Sequence, residues 1–111
     1  MTGNVEAIFV ETDVPEPGNT KSITVNEQKV LLCNIDGEVF AIENSCTHAR
    51  VLLSSGRLIG GEIECPVHGA RFDVRTGAVM CPPARKGLQS FPVCVVDGGV
   101  EVRLSEESTP Q

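Results

Sequence analysis

An all-β fold is predicted for this chain. β-Branched residues are abundant, Gly, Asp and Asn punctuate them at short intervals, and no stretch of about 12 residues places apolar side chains at helical spacing. The 111 residues, 41% hydrophobic and 22% charged, suit one compact domain. A chain this short buries only about two-thirds of the surface its unfolded form exposes, so a covalent staple or a bound metal is worth seeking.

Strands are expected over residues 5–10, 22–26, 29–34, 39–43, 61–64, 71–73, 91–96 and 100–104. Asp36-Gly37, between Leu31-Leu32-Cys33 and Val39-Phe40-Ala41, is a favoured pair for a type I′ hairpin turn, because both central residues need positive φ. Asp97-Gly98-Gly99 is expected to turn the chain the same way before the last strand. Residues 13–20 read as a surface loop, since Pro15 and Pro17 remove ladder donors and turn formers surround them. The tail 105–111 is expected to fray.

Nine Lys and Arg against fifteen Asp and Glu leave a formal net charge of −6, which argues against a partner held through its phosphates. Trp and Tyr are absent and Phe occurs four times, so stacking platforms for bases are few. Nucleic acid is therefore not expected as a partner. The opening Met1-Thr2-Gly3-Asn4-Val5-Glu6 lacks a basic stretch leading into an apolar one, and no apolar run approaches the roughly 18 residues that cross a bilayer. A cytoplasmic chain with no membrane association is the expectation. Charge is unevenly spread: residues 44–86 carry six basic and three acidic side chains, net +3, and the remainder three basic and twelve acidic, net −9.

Five cysteines, Cys33, Cys46, Cys65, Cys81 and Cys94, form an odd set without a Cys-x-x-Cys pair, which argues against a secreted disulfide framework. Cys46-Thr47-His48 and Cys65-Pro66-Val67-His68 form two ligand pairs that use both histidines of the chain. Such spacings let one tight loop aim two side chains at a single centre. Two thiolates with two imidazoles suit a tetrahedral zinc ion and equally a 2Fe-2S cluster with Cys on one iron and His on the other. Each loop supplies one Cys and one His, whereas the commonest Cys/His zinc fingers pair like with like.

Together with Leu53, Gly56, Gly69, Phe72-Asp73, Thr76-Gly77 and Pro82-Pro83-Ala84, these pairs closely resemble the Rieske ferredoxins, the electron carriers of bacterial aromatic-ring-hydroxylating dioxygenases. The resemblance spans essentially the whole chain. It implies an antiparallel β-sandwich base, residues 1–43 and 87–111, with a cluster-binding subdomain, 44–86, inserted. It further implies one 2Fe-2S cluster, with Cys46 and Cys65 on the buried iron, His48 and His68 on the outer iron, and Pro82-Pro83-Ala84 covering it. The role implied is that of a monomeric one-electron carrier, not catalytic alone, between an NAD(P)H-dependent flavoprotein reductase and a terminal oxygenase. A Rieske-like small subunit of a nitrite reductase and a zinc-stabilised interaction module are the alternatives.

Two thiolates neutralise the oxidised cluster core where four would leave it anionic, so the mixed ligand set accepts an electron more easily. High-potential members of the family add a disulfide and Ser and Tyr hydroxyls near the cluster. Val51, Val67, Ala70 and Phe72 stand at the corresponding positions here, which predicts a potential of roughly −150 mV, at the low end of the Rieske range. The basic excess of residues 44–86, Arg50 and Arg71 included, is expected to orient the histidine tip toward partners. Cys33 and Cys94 are expected as small buried hydrophobes, and Met80 and Cys81 as packing residues. Glu62 and Glu64 show no acid–base pairing in the sequence.

Overall fold

The computed structural model describes residues 5–45, 51–67, 69–81 and 87–105, which form strands, turns and one 3-10 turn but no α-helix. Strand β1 (Val5–Glu11) leads through a loop to β2 (Thr20–Val25), β3 (Gln28–Ile35) and β4 (Glu38–Glu43). The 3-10 turn Leu53–Ser55 precedes β5 (Arg57–Ile59), β6 (Glu62–Glu64), β7 (Arg71–Asp73) and β8 (Val79–Cys81). The chain ends with β9 (Ser90–Phe91), β10 (Val93–Val96) and β11 (Gly99–Ser105). Three antiparallel sheets result, ordered β1-β11-β10, β2-β3-β4-β9 and β5-β6-β7-β8.

The β2-β3-β4-β9 sheet is the middle layer, and the period-2 alternation of its strands explains why. Val30 and Leu32 of β3, with Val25 and Ala41, pack against Val100 and Val102 of β11. Their neighbours Leu31, Cys33 and Ile35, with Ile42, face the other way onto Ile63, Phe72 and Val74. Both faces of β3 are thus covered, so Val30 to Ile35 are all buried. Each such side chain removed from water contributes about 1.5–3 kcal/mol. Across the second of these interfaces the Arg75 guanidinium lies 5.3 Å from the centroid of the Phe40 ring.

The expected strands are present with ends shifted by one or two residues, with one exception. Residues 91–96 are two strands in different sheets, because Pro92 cannot donate to a ladder and the chain crosses from the middle sheet to the outer one there. The Pro92 carbonyl instead accepts the Arg103 N–H at 2.9 Å. Strands β5 and β8 were not expected, being three residues each.

Asp36 (φ 54°) and Gly37 (φ 95°) make the expected turn, and Asn26 (φ 49°) and Glu27 (φ 70°) make another in which both central residues are left-handed. The last hairpin differs from expectation: only Gly98 (φ 82°) has positive φ, so Asp97-Gly98 is not a type I′ pair. Pro15 of the 13–20 loop is buried, its carbonyl accepting the Asn34 side-chain amide at 2.8 Å. Of the tail, residue 105 closes β11 and 106–111 lie outside the described residues.

Candidate metal centre

Of the four expected ligands, Cys65 lies among the described residues; Cys46, His48 and His68 lie outside them, as do Pro82, Pro83 and Ala84. Accordingly, no group of three or more His, Cys, Asp or Glu converges among the described residues. Cys65 follows β6 and is 1% exposed. Its N–H donates to the Ala70 carbonyl at 2.7 Å, which ties the end of β6 to the residue before β7. Leu53, Ile63, Ala70 and Phe72 surround it as one buried cluster, flanked by the half-buried Val51 and Val67.

The segment containing Cys46 and His48 is tied at both described ends. Ser54 N–H donates to Asn44 Oδ1 at 2.9 Å, and the buried Asn44 is itself tied to β3 through its N–H to the Lys29 carbonyl at 3.0 Å. The described residues that follow Pro82 to Ala84 in sequence are held in the same way. Gln89 N–H donates to Glu43 Oε1 at 2.7 Å, Glu43 N–H donates to the Gln89 carbonyl at 2.8 Å, and Leu88 N–H donates to the Gly77 carbonyl at 2.7 Å. A Cβ on Gly77 would collide with the Leu88 carbonyl oxygen. Asn44 and Glu43 went unnoticed in the sequence, because their partners lie 10 and 46 residues away and no short motif marks them.

Beside Cys65 runs an ion-pair ladder that the sequence reading did not foresee. Arg57, Glu64 and Arg71 are successive cross-strand neighbours, and Glu64 Oε1 pairs with Arg57 Nη2 at 3.2 Å while Oε2 pairs with Arg71 Nε at 3.7 Å. Arg71 also reaches Glu62 at 3.8 Å, so it is a partnered cation and not a free surface charge. An open cleft of about 330 Å³ lies between Gly56, Arg57, Glu64, Cys65 and Gly69.

Cys33 is buried as expected, and burial pushes its thiol up to about 12. Cys94 is exposed, contrary to expectation: Val93 pairs with the buried Val102 and faces inward, so strand alternation turns Cys94 outward opposite Glu101. Met80 is 51% exposed and fills no gap.

Residues 4–92 match the model of the Rieske [2Fe-2S] domain. The chain belongs to the Rieske [2Fe-2S] domain family. This Rieske chain is 39% identical over 105 residues to the ferredoxin component of the naphthalene 1,2-dioxygenase/salicylate 5-hydroxylase systems of a Ralstonia species, a match covering 94% of the chain and 99% of that relative. Its fold is similar to that of the ferredoxin of carbazole 1,9a-dioxygenase from Nocardioides aromaticivorans, with a TM-score of 0.79, 32% identity, and coverage of 86% and 96% of the two chains. A ferredoxin in a complex of reduced oxygenase and oxidized ferredoxin in carbazole 1,9a-dioxygenase superposes with a TM-score of 0.76 and 30% identity over 96% of this chain and 97% of that one.

Family membership decides the metal in favour of one Rieske-type 2Fe-2S cluster and sets aside the zinc module. The Rieske domain's described residues fit that group. Cys65 offers a soft thiolate ligand at the edge of an apolar core. None of Val51, Val67, Ala70 and Phe72 carries a hydroxyl or thiol toward it.

Proposed function

We propose that this Rieske ferredoxin holds its cluster with Cys46 and Cys65 on the inner iron and His48 and His68 on the outer iron. It takes single electrons from an NAD(P)H-dependent flavoprotein reductase and delivers them to a terminal aromatic-ring dioxygenase. The observation that carries this reading is Cys65, buried just after β6 with its N–H bonded to the Ala70 carbonyl, as the first member of the Cys65–His68 pair in the sequence. The cluster supplies one-electron storage when bound, and the protein's part is to ligate it, shield it from water and present it to partners. Residues 44–86 form the cluster-binding subdomain, and residues 1–43 and 87–111 form the base. The sheet β5-β6-β7-β8 falling wholly within 44–86 supports that division. The chain acts as a cytoplasmic monomer and meets its partners at the histidine tip. With Arg57 and Arg71 paired to Glu62 and Glu64, the charged residues of 44–86 outside those pairs are Arg50, Arg75, Arg85 and Lys86 against Asp73.

Low-temperature EPR after dithionite reduction, with iron and zinc contents, tests the cluster assignment. The expected result is a rhombic spin-half signal with an average g below that of all-cysteine 2Fe-2S clusters, and a potential of roughly −150 mV. An iron-free chain holding zinc, or a clearly positive potential, overturns it. Electron delivery is tested by reductase-coupled turnover of an aromatic-ring dioxygenase, which should fall to background with His68→Ala.

A further inference from the structure

Glu64 immediately precedes Cys65, and a Cβ built on Gly69 would lie 3.7 Å from Glu64 Oε2. The carboxylate therefore lies close to Gly69, and Glu64 and Gly69 flank in sequence the proposed ligand pair Cys65 and His68. It is 21% exposed and each of its oxygens faces a different guanidinium, Arg57 on one side and Arg71 on the other. The strand register builds this arrangement, because Arg57, Glu64 and Arg71 stand directly opposite one another on β5, β6 and β7. Structural salt bridges at a surface contribute little to stability, with a median of about 0–1 kcal/mol. Their position beside a redox centre gives them another consequence. Negative charge nearby opposes the arrival of an electron, and positive charge nearby favours it.

We propose that the Arg57–Glu64–Arg71 ladder sets the reduction potential of the cluster through its charge, Glu64 lowering the potential and the two arginines raising it. The proposal rests on the reading that Cys65 and His68 are ligands. None of the three residues is a ligand itself. Loss of Glu64 adds one positive charge to the surroundings of the cluster and loss of either arginine removes one, so the variants move the potential in opposite directions. A ladder that served only to hold the loop would behave differently, since Arg57→Gln and Glu64→Gln break the same pair and would then shift the potential with the same sign.

The test is redox potentiometry of the cluster-loaded full chain at low and high salt, with EPR of each reduced variant. Arg57→Gln and Arg71→Gln should lower the reduction equilibrium constant about twofold to threefold, or about 18–28 mV for a one-electron couple. Glu64→Gln should raise it by a similar factor, and Arg57→Gln/Glu64→Gln should return close to the parent. The shifts should shrink at high salt, most of all for Arg57, which is 76% exposed. EPR g values should stay at those of the parent, because ligation is untouched. Potentials that coincide with the parent, or that move together in one direction, overturn the proposal. A parent chain without the rhombic signal removes the cluster reading first, and the proposal with it.

Discussion

Asn44 and Ser54, on either side of the proposed ligands Cys46 and His48 in sequence, are bonded to each other: Ser54 N–H donates to Asn44 Oδ1 at 2.9 Å, and Asn44 Nδ2 donates to Ser54 Oγ at 3.4 Å. The Asn44 residue is 2% exposed, so water does not compete for its amide. Asn44→Ala would leave the Ser54 N–H without its acceptor, a loss of about 1–3 kcal/mol. The expected outcome is a lower denaturation midpoint together with faster bleaching of the cluster absorbance in the presence of an iron chelator. A midpoint and a bleaching rate equal to the parent's would show that this clamp does not hold the segment.

Gly77 plays the corresponding part at the third segment. Its φ of +84° already disfavours a side chain, and a Cβ there would strike the Leu88 carbonyl oxygen. Gly18 has nearly the same backbone, φ +86°, with nothing within 4 Å of a built Cβ. Gly18→Ala therefore incurs the conformational strain alone, whereas Gly77→Ala adds displacement of residues 87–89. Each should destabilise by more than about 1 kcal/mol, with Gly77→Ala the worse of the two and alone in accelerating cluster loss. Chemical denaturation of both variants, with chelator bleaching, makes the comparison; equal effects would exclude the steric contribution.

Legibility in the sequence followed the range of the interactions involved. The β3–β4 hairpin was plain because Asp36-Gly37 is a local signal, and β3 was plain because burial on both faces writes a continuous apolar run. The Asn26-Glu27 turn was obscured because Glu rarely adopts positive φ, so its residue types do not announce it. The break at Pro92 was visible as a proline but not as a change of sheet, which depends on the Arg103 bond to its carbonyl. At the candidate centre, ligand types and spacing stood out in Cys46, His48, Cys65 and His68. The supports Asn44, Glu43 and the Arg57–Glu64–Arg71 ladder arise from side-chain pairings and strand register set by the fold, which no short motif encodes.

Cys33 and Cys94 should separate cleanly under alkylation. Cys94 is exposed, while Cys33 is fully buried and burial pushes its thiol up to about 12 from an ordinary value near 9.0. Iodoacetamide at mildly alkaline pH should modify Cys94 in the native chain and reach Cys33 only after unfolding, as read by peptide mass spectrometry. The same shift has a sign for stability. Above about pH 9 the unfolded chain releases the Cys33 proton and the folded chain keeps it, so this contribution is fully present below pH 9 and is lost as pH climbs toward 12. Cys33→Ala should flatten that part of the stability–pH curve, at the expense of a small cavity. Native labelling of Cys33 at the rate of Cys94 would contradict both expectations.

The proposed low potential should be adjustable at the position where a hydroxyl is missing. Ala70 is fully buried and its carbonyl accepts the Cys65 N–H at 2.7 Å, so a side chain at residue 70 lies in the same buried cluster as the proposed ligand. A hydroxyl donating to sulfur is stronger in the reduced state, where the sulfur carries more negative charge, and so favours reduction. Ala70→Ser should raise the potential. A differential hydrogen bond of about 1 kcal/mol corresponds to about a fivefold change in the reduction equilibrium constant, or about 41 mV. Ala70→Val, which adds bulk without a donor, is the control and should leave the potential unraised while lowering stability through overpacking. Potentiometry of both variants decides the matter. If serine and valine move the potential alike, the low value does not come from a missing donor at residue 70, and the charges around the cluster become its main determinant.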